Sequence, residues 1–402
     1  MLVKFSITQT VVKLSLFIVT LAFSLTACDS SSESKAILGD MNPMTEYRWD
    51  VSESAPKEYT MKIISGFLEA ADGYRKDIPS RAVLRNGWGS SRSNMATGRA
   101  IMPAPKRMEV TWFSYREDTF YHGAFELPFE KIQALLADKA PKPYKEELNP
   151  NENGRFVVGV APQGFVVVWL SYGNHLQVIF TGKAVPVEGI PWSAVFQNKE
   201  FTKEEVLKAE IEDARKDAAG SPHLDDPGYW QRLHSELYRY DIKVESEYTP
   251  YSYTAGFTTS EVHDFIHDAQ AWSSEPRSIM ESILFEYFFP NRIPVVSVDN
   301  INSDEMYAAF RKLSKSDPNS LEVVVKVNGN LLEGWKYTAQ LFVRNQHETI
   351  EIKDYRFKPF SNHEALEEVK ASKNLMRYMN YPDKPARPQD TPPPKKKFLG
   401  IF

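Results

Sequence analysis

The chain has 402 residues, enough for two domains of ordinary size, is 42% hydrophobic as globular proteins are, and carries a formal net charge of −5, which argues against a dedicated nucleic-acid binder. Its one cysteine, Cys28, leaves no partner for an internal disulfide. Stability must come from burial, and thiolate catalysis or cysteine metal ligation has no source downstream of residue 28.

Residues 1–27 read as a secretory signal. Lys4 and Lys13 form its basic flank, Leu14, Leu16, Phe17, Ile18, Val19, Leu21 and Phe23 its apolar core, and no acid precedes Asp29. That core is shorter than the roughly 20 apolar residues a spanning helix needs. Leu25-Thr26-Ala27-Cys28 has the small-residue pattern of a bacterial lipobox, which predicts a lipid anchor of the diacylglycerol and palmitate type on Cys28. Loss of Lys4 and Lys13 with the signal makes the mature chain two charges more negative. Asp29, next to the anchor, predicts sorting to the inner membrane with the body facing the periplasm; the outer membrane is the alternative address. Residues 28–46 form the anchor and a polar tether.

The elements that follow come in two similar runs. Tyr47-Arg48-Trp49-Asp50-Val51 alternates as a half-buried strand does, and Tyr238-Arg239-Tyr240-Asp241-Ile242 is nearly the same word. Each leads to a tyrosine-containing strand (59–67; 251–257), a variable stretch, and a strand running into a helix. The first strand-and-helix pair is 120–127 with 128–139, where Pro128 takes a favoured first-turn position; the second is 294–298 with 303–313. Hairpin strands follow: 156–160, 165–170 and 175–180 in the first run, and 321–327, 337–343 and 349–352 in the second, with Asn328-Gly329 as a turn signal. Between the runs, Thr202 and Glu205 make a capping box for a connecting helix over 202–220. A last helix is expected over 361–380, before a Pro-rich tail that ends in Lys395-Lys396-Lys397.

The fold class is therefore α+β, a tandem duplication of a mainly antiparallel sheet module with a packed helix in each half. The expected lobes are 47–200 and 237–380, with the connecting helix in 201–236 and the tail at 381–402.

Signatures of chemistry are few in the chain. There is no G-x-S-x-G elbow, phosphate loop, dinucleotide fingerprint or H-E-x-x-H, so no catalytic residue, metal site or cofactor is assigned and the chain is read as a non-enzyme. His263 and His267 would share a helix face but read better as a solvated surface. His223 with Asp225 and Asp226 reads as a loop, and His234 lies near Glu236 with no nucleophile marked. Recognition is better signalled. The stretch 78–106 is rich in Gly, Ser and Arg, and Arg85, Trp88, Arg92 and Arg99 are candidate partner-binding residues, because Arg and Trp dominate binding hot spots.

The run Val110-Thr111-Trp112-Phe113-Ser114-Tyr115-Arg116-Glu117-Asp118-Thr119-Phe120-Tyr121, then Glu126-Leu127-Pro128, Val158-Gly159-Val160-Ala161-Pro162-Gln163-Gly164 and Val168-Trp169-Leu170, resembles the proteobacterial lipoprotein family catalogued as domain of unknown function 2931. The resemblance covers about 47–185, with Trp112, Glu117, Tyr121, Pro162 and Trp169 as its recognisable points. Gln163 departs from it, standing where a second glycine is expected. No activity comes with the family. The resemblance implies a context: lipoproteins of this kind look like those encoded beside antibacterial type VI secretion effectors, notably lipases, which a periplasmic partner neutralises. The expected function is that of a lipid-anchored immunity protein that binds a secreted effector. The alternatives are an envelope scaffold whose tail reaches a partner and, third, an unrecognised hydrolase.

Overall fold

Six consecutive apolar residues, Phe165-Val166-Val167-Val168-Trp169-Leu170, leave no face of a strand for water, so this segment must be covered on both sides. Val166, Val168 and Leu170 enter one core, and Phe165, Val167 and Trp169 enter another. The computed structural model describes residues 45–361 apart from 94–97, 138–153, 173–174, 251, 267–274, 288–293, 330 and 332–336. Cys28, Asp29, His267, the expected helix beyond Ser361 and the tail lie outside the described residues.

The first lobe runs β1 (Glu46–Ser54), β2 (Met61–Ala70), β3 (Arg75–Asp77), β4 (Ile101–Pro103), β5 (Pro105–Ser114), β6 (Thr119–Glu126), α1 (Phe129–Ala137), β7 (Gly154–Val160), β8 (Phe165–Tyr172), β9 (His175–Lys183) and β10 (Val185–Val187). Helices α2 (Lys203–Asp217) and α3 (Tyr229–Leu233) lead to the second lobe. That lobe runs β11 (Asp241–Glu245), β12 (Ser252–Phe257), β13 (Val262–Ile266), β14 (Met280–Glu286), β15 (Pro294–Asp299), α4 (Ser303–Ser316), β16 (Glu322–Gly329), β17 (Tyr337–Arg344), β18 (Thr349–Ile352) and β19 (Arg356–Ser361). The fold is α+β and mostly sheet. No helix among the described residues is long and apolar enough to cross a membrane.

The described residues form three sheets. One has the order β10-β6-β5-β2-β3, one has β11-β16-β17-β18, and the largest has ten strands in the order β19-β15-β14-β12-β13-β9-β8-β7-β1-β4. Pairing is antiparallel except for β1 with β7 and β11 with β16. In the first lobe the inner face of β1, β7 and β8 (Trp49, Val51, Phe156, Val158, Val168) packs on β2 and β5 (Met61, Ile63, Met108, Val110, Trp112). In the second, Tyr253, Phe285 and Val296 meet Val323, Val325, Leu341 and Val343, together with Met306, Phe310 and Leu313 of α4. Each such side chain contributes about 2 kcal/mol by leaving water.

The capping box of α2 forms as its sequence dictates: Thr202 Oγ1 accepts the Glu205 N–H at 3.2 Å, and the Glu205 carboxylate accepts the Thr202 N–H at 2.8 Å. The helix covers the outer face of the β2/β5/β6 sheet, bringing Val206 onto Phe113, Tyr115 and Val195.

Two local expectations change. Residues 262–266 form a strand, not a helix, because they pair with 252–256 of β12, so the helical spacing that would have joined His263 to His267 does not arise there. Asn328-Gly329 is not the hairpin's turn. The ladder continues through it, with Asn328 opposite Thr338 and Gly329 opposite Tyr337, and the chain reverses only beyond Gly329.

Candidate functional site: the cleft at the lobe seam

The two lobes share the ten-stranded sheet through one seam, where Leu176 of β9 pairs with Val262 of β13. Beside it a cleft of about 310 Å³ opens, lined by residues 177–181 of β9 and by Lys131, His234, Thr259, Glu261, His263 and Arg277 among others. The polar groups come from separate segments: α1, the end of α3, the β12–β13 hairpin and the approach to β14. Glu261 stitches the seam. Its Oε1 accepts the Val178 N–H at 2.9 Å, its Oε2 accepts the Thr259 hydroxyl at 3.0 Å, and His263 Nε2 stands 3.8 Å from Oε1. Burial pushes this carboxyl up, but the bonds from His263, Val178 and Thr259 outweigh it and hold it below the ordinary range. Burial also lowers the Arg277 guanidinium from its usual value, against the opposing effect of Tyr240 and Glu261.

His234 closes the inner end. Its Nε2 accepts the indole N–H of Trp88 at 3.0 Å, and an indole can only donate, so this nitrogen carries no proton. Burial among aromatic rings pushes the imidazole down to about 4, with the Glu261 charge opposing. Trp88 itself is 7% exposed. It meets Trp169 edge-on at 4.8 Å, Trp230 at 5.3 Å and Phe165 at 6.3 Å between centroids. Ser260 of the second lobe donates to the Trp88 carbonyl at 2.9 Å. Gly89 makes that approach feasible: its φ is +71°, and a Cβ there would stand 2.6 Å from Ser260 Cβ. The loop expected to hold a partner thus straps the chain's own second lobe.

A family model described as a protein of unknown function, DUF2931, matches residues 34–237, half of the chain. The chain belongs to the DUF2931 family. No curated protein and no solved structure matches it.

The DUF2931 match covers the first lobe, α2 and α3, and stops before β11. Its recognisable points are folding devices. The Glu117 carboxylate accepts the Gln163 N–H at 3.0 and 3.2 Å and so caps the turn between β7 and β8. Gln163 has φ 58° and ψ 26°, the left-handed conformation that explains why a glycine is expected at that place. Trp112 and Tyr121 stack at 5.5 Å in the core, and the Trp169 indole donates to Thr259 O at 3.0 Å. At the adjacent Gly164 φ is +74°, and a Cβ would lie 2.4 Å from the Ala184 carbonyl. Gly164→Ala should therefore cost about 3 kcal/mol, from backbone strain and overpacking together, read as a lower urea midpoint with an unchanged m-value.

Among the other candidate partner-binding residues of this DUF2931 chain, Arg85 is held by three acids of α2: Glu210 at 2.7 Å, Asp213 at 3.6 Å and Asp217 at 2.7 Å. Arg99 pairs with Asp72 at 2.5 Å and with Glu46. Arg92 is exposed, and its backbone N–H donates to Glu53 O at 3.1 Å. The acids around His223 are also engaged, Asp225 by Arg116 and Asp226 by Arg232, while His223 lies flat on Tyr229. Glu261, Arg277, Thr259 and Lys131 were not singled out in the sequence. Only the seam brings them together.

Proposed function

We propose that this protein is a lipid-anchored, periplasm-facing binding protein that works by contact rather than catalysis, and that it neutralises a secreted antibacterial effector of the lipase type. We further read the body as a tandem duplication. The order β3-β2-β5-β6-β10 in the first lobe has its counterpart in β13-β12-β14-β15-β19 in the second, and β1-β7-β8-β9 has its counterpart in β11-β16-β17-β18. The parallel pair opens the second series in both lobes, and α1 and α4 occupy the same place in the order. Among the described strands, β4 has no equivalent. On this reading the second lobe is a diverged copy of the DUF2931 unit.

The observation that supports the functional reading is the matching strand order of the two halves. Two sandwich modules joined edge to edge give a two-lobed body whose seam opens into a polar cleft, an arrangement suited to gripping another macromolecule. The packing roles of Trp112, Glu117, Tyr121 and Trp169 support it further, since the family's most recognisable residues serve folding. Cys28 and the signal before it supply the anchor, and Asp29 the inner-membrane address.

The test is protection. Cells that direct the neighbouring lipase-type effector to their own periplasm should survive when they also carry this protein, and the two should co-purify. Neither survival nor co-purification would overturn the reading. Deleting 382–402 separates it from the scaffold alternative: a lobe-based inhibitor keeps its partner, a scaffold reaching through its tail loses it. Cys28→Ser should abolish labelling with radioactive palmitate and move the protein from the membrane to the soluble fraction. The diacylglycerol and palmitate chains on Cys28 are the membrane attachment proposed for it, and more than one chain is what makes such an anchor stable.

A further inference from the structure

Strand β9 is paired unequally on its two sides. On one side it follows β8 from His175 to Lys183; on the other, among the described residues, only Leu176 meets Val262. Beyond that rung the Val178 N–H is taken by Glu261 Oε1 at 2.9 Å, so a side chain stands where a neighbouring strand's carbonyl would be. Residues 177–181 then line the cleft in unbroken succession, and among the described residues no strand flanks them there.

Successive residues of a strand direct their N–H and C=O groups to alternate sides; a bulge at Ile179 shifts that alternation midway, and the stretch borders the cleft over a length of about 17 Å. Open ladder edges are templates for another chain. The facing wall does not close this one: it contains Pro276, which has no N–H to donate. Charge in the cleft is balanced, with Lys131 and Arg277 against Glu261 and Glu275, which favours a neutral, dipolar backbone over an ion.

We infer that the cleft is a strand-addition site: an extended segment of a partner polypeptide pairs main chain to main chain with β9 and continues the ladder that β13 leaves after one rung. This rests on the contact reading above and names the surface through which it operates. The pairing is sequence-tolerant along the backbone, and selectivity comes from the walls, where Lys131 favours an acidic side chain and Glu275 a basic one.

The full chain in detergent is panned against a phage-displayed library of random linear peptides and, separately, mixed with the effector. Amide exchange is read by mass spectrometry in both cases. Enriched peptides should slow exchange within 177–183 by about tenfold or more. Thr181→Arg, at an exposed cleft position, should weaken them by about tenfold, a typical effect for a blocked contact. Val185→Arg, on an exposed position outside the cleft, should not, and thermal melts establish that both variants fold. No enriched peptide, or peptides that bind without slowing 177–183, would overturn the inference. An effector that binds without protecting 177–183 overturns strand addition and leaves the contact reading standing. Peptides captured on β9 while the effector fails to bind would do the reverse.

Discussion

Trp88→Ala should destabilise the protein by about 4 kcal/mol, the usual cost of removing a fully packed indole from a core. The indole is 7% exposed, touches Trp169, Trp230 and Phe165, and donates to His234, so its loss leaves a cavity and an imidazole nitrogen without its donor. Arg92→Ala, a few residues on and exposed, should change stability by less than about 0.5 kcal/mol. Urea denaturation of the two variants checks this. If Trp88 served an external partner instead, both substitutions would be near neutral for folding and only binding would suffer.

The second large effect is on acid stability. His234 has an ordinary value of 6.5 and is pushed down to about 4 in the folded protein. The unfolded chain therefore binds a proton in a range where the folded one does not. Stability is fully present above about pH 6.5 and is lost as pH falls towards 4, by about 3 kcal/mol in all if this group acts alone. Glu261, the charge nearest to it in effect, opposes this by favouring the protonated ring. His234→Gln keeps an acceptor for the Trp88 indole and removes the titration. Its urea midpoint should depend less on pH between 6.5 and 4 than that of the parent, and equal slopes for the two proteins would contradict the account. Because the ring lies at the inner end of the cleft, the same protonation should loosen the strap that joins the 78–106 segment to the second lobe.

Much of the architecture was legible because local signals and burial agree. The Thr202 and Glu205 box starts α2, the stripe of Met306, Phe310 and Leu313 turns α4 inward, and the unbroken apolar run at 165–170 becomes a strand covered on both faces. What escaped was set by distance or brevity. Strands β3, β4 and β10 have three residues each, too few to show a period. Asn328-Gly329 carries a turn signal that cross-strand pairing with Thr338 and Tyr337 overrides. His263 has helical spacing to His267, yet pairing with β12 makes its segment a strand.

The site was less readable than the fold. A Trp set among Gly, Ser and Arg looks like a surface hot spot, and nothing local reveals that His234, 146 residues on, takes its N–H. Arg85 looks available until α2 brings three carboxylates to it. Glu261 and Arg277 carry no motif at all. They become a site because, among the described residues, β9 and β13 meet at one rung beside which these side chains gather around one opening.

The proposal that the protein acts by contact is tested most directly by titrating the purified protein against a secreted antibacterial effector of the lipase type while following hydrolysis of phospholipid vesicles. Activity should fall to background at one protein per effector, and the pair should elute as one complex. Undiminished hydrolysis at a large excess, with the two proteins eluting separately, would contradict it.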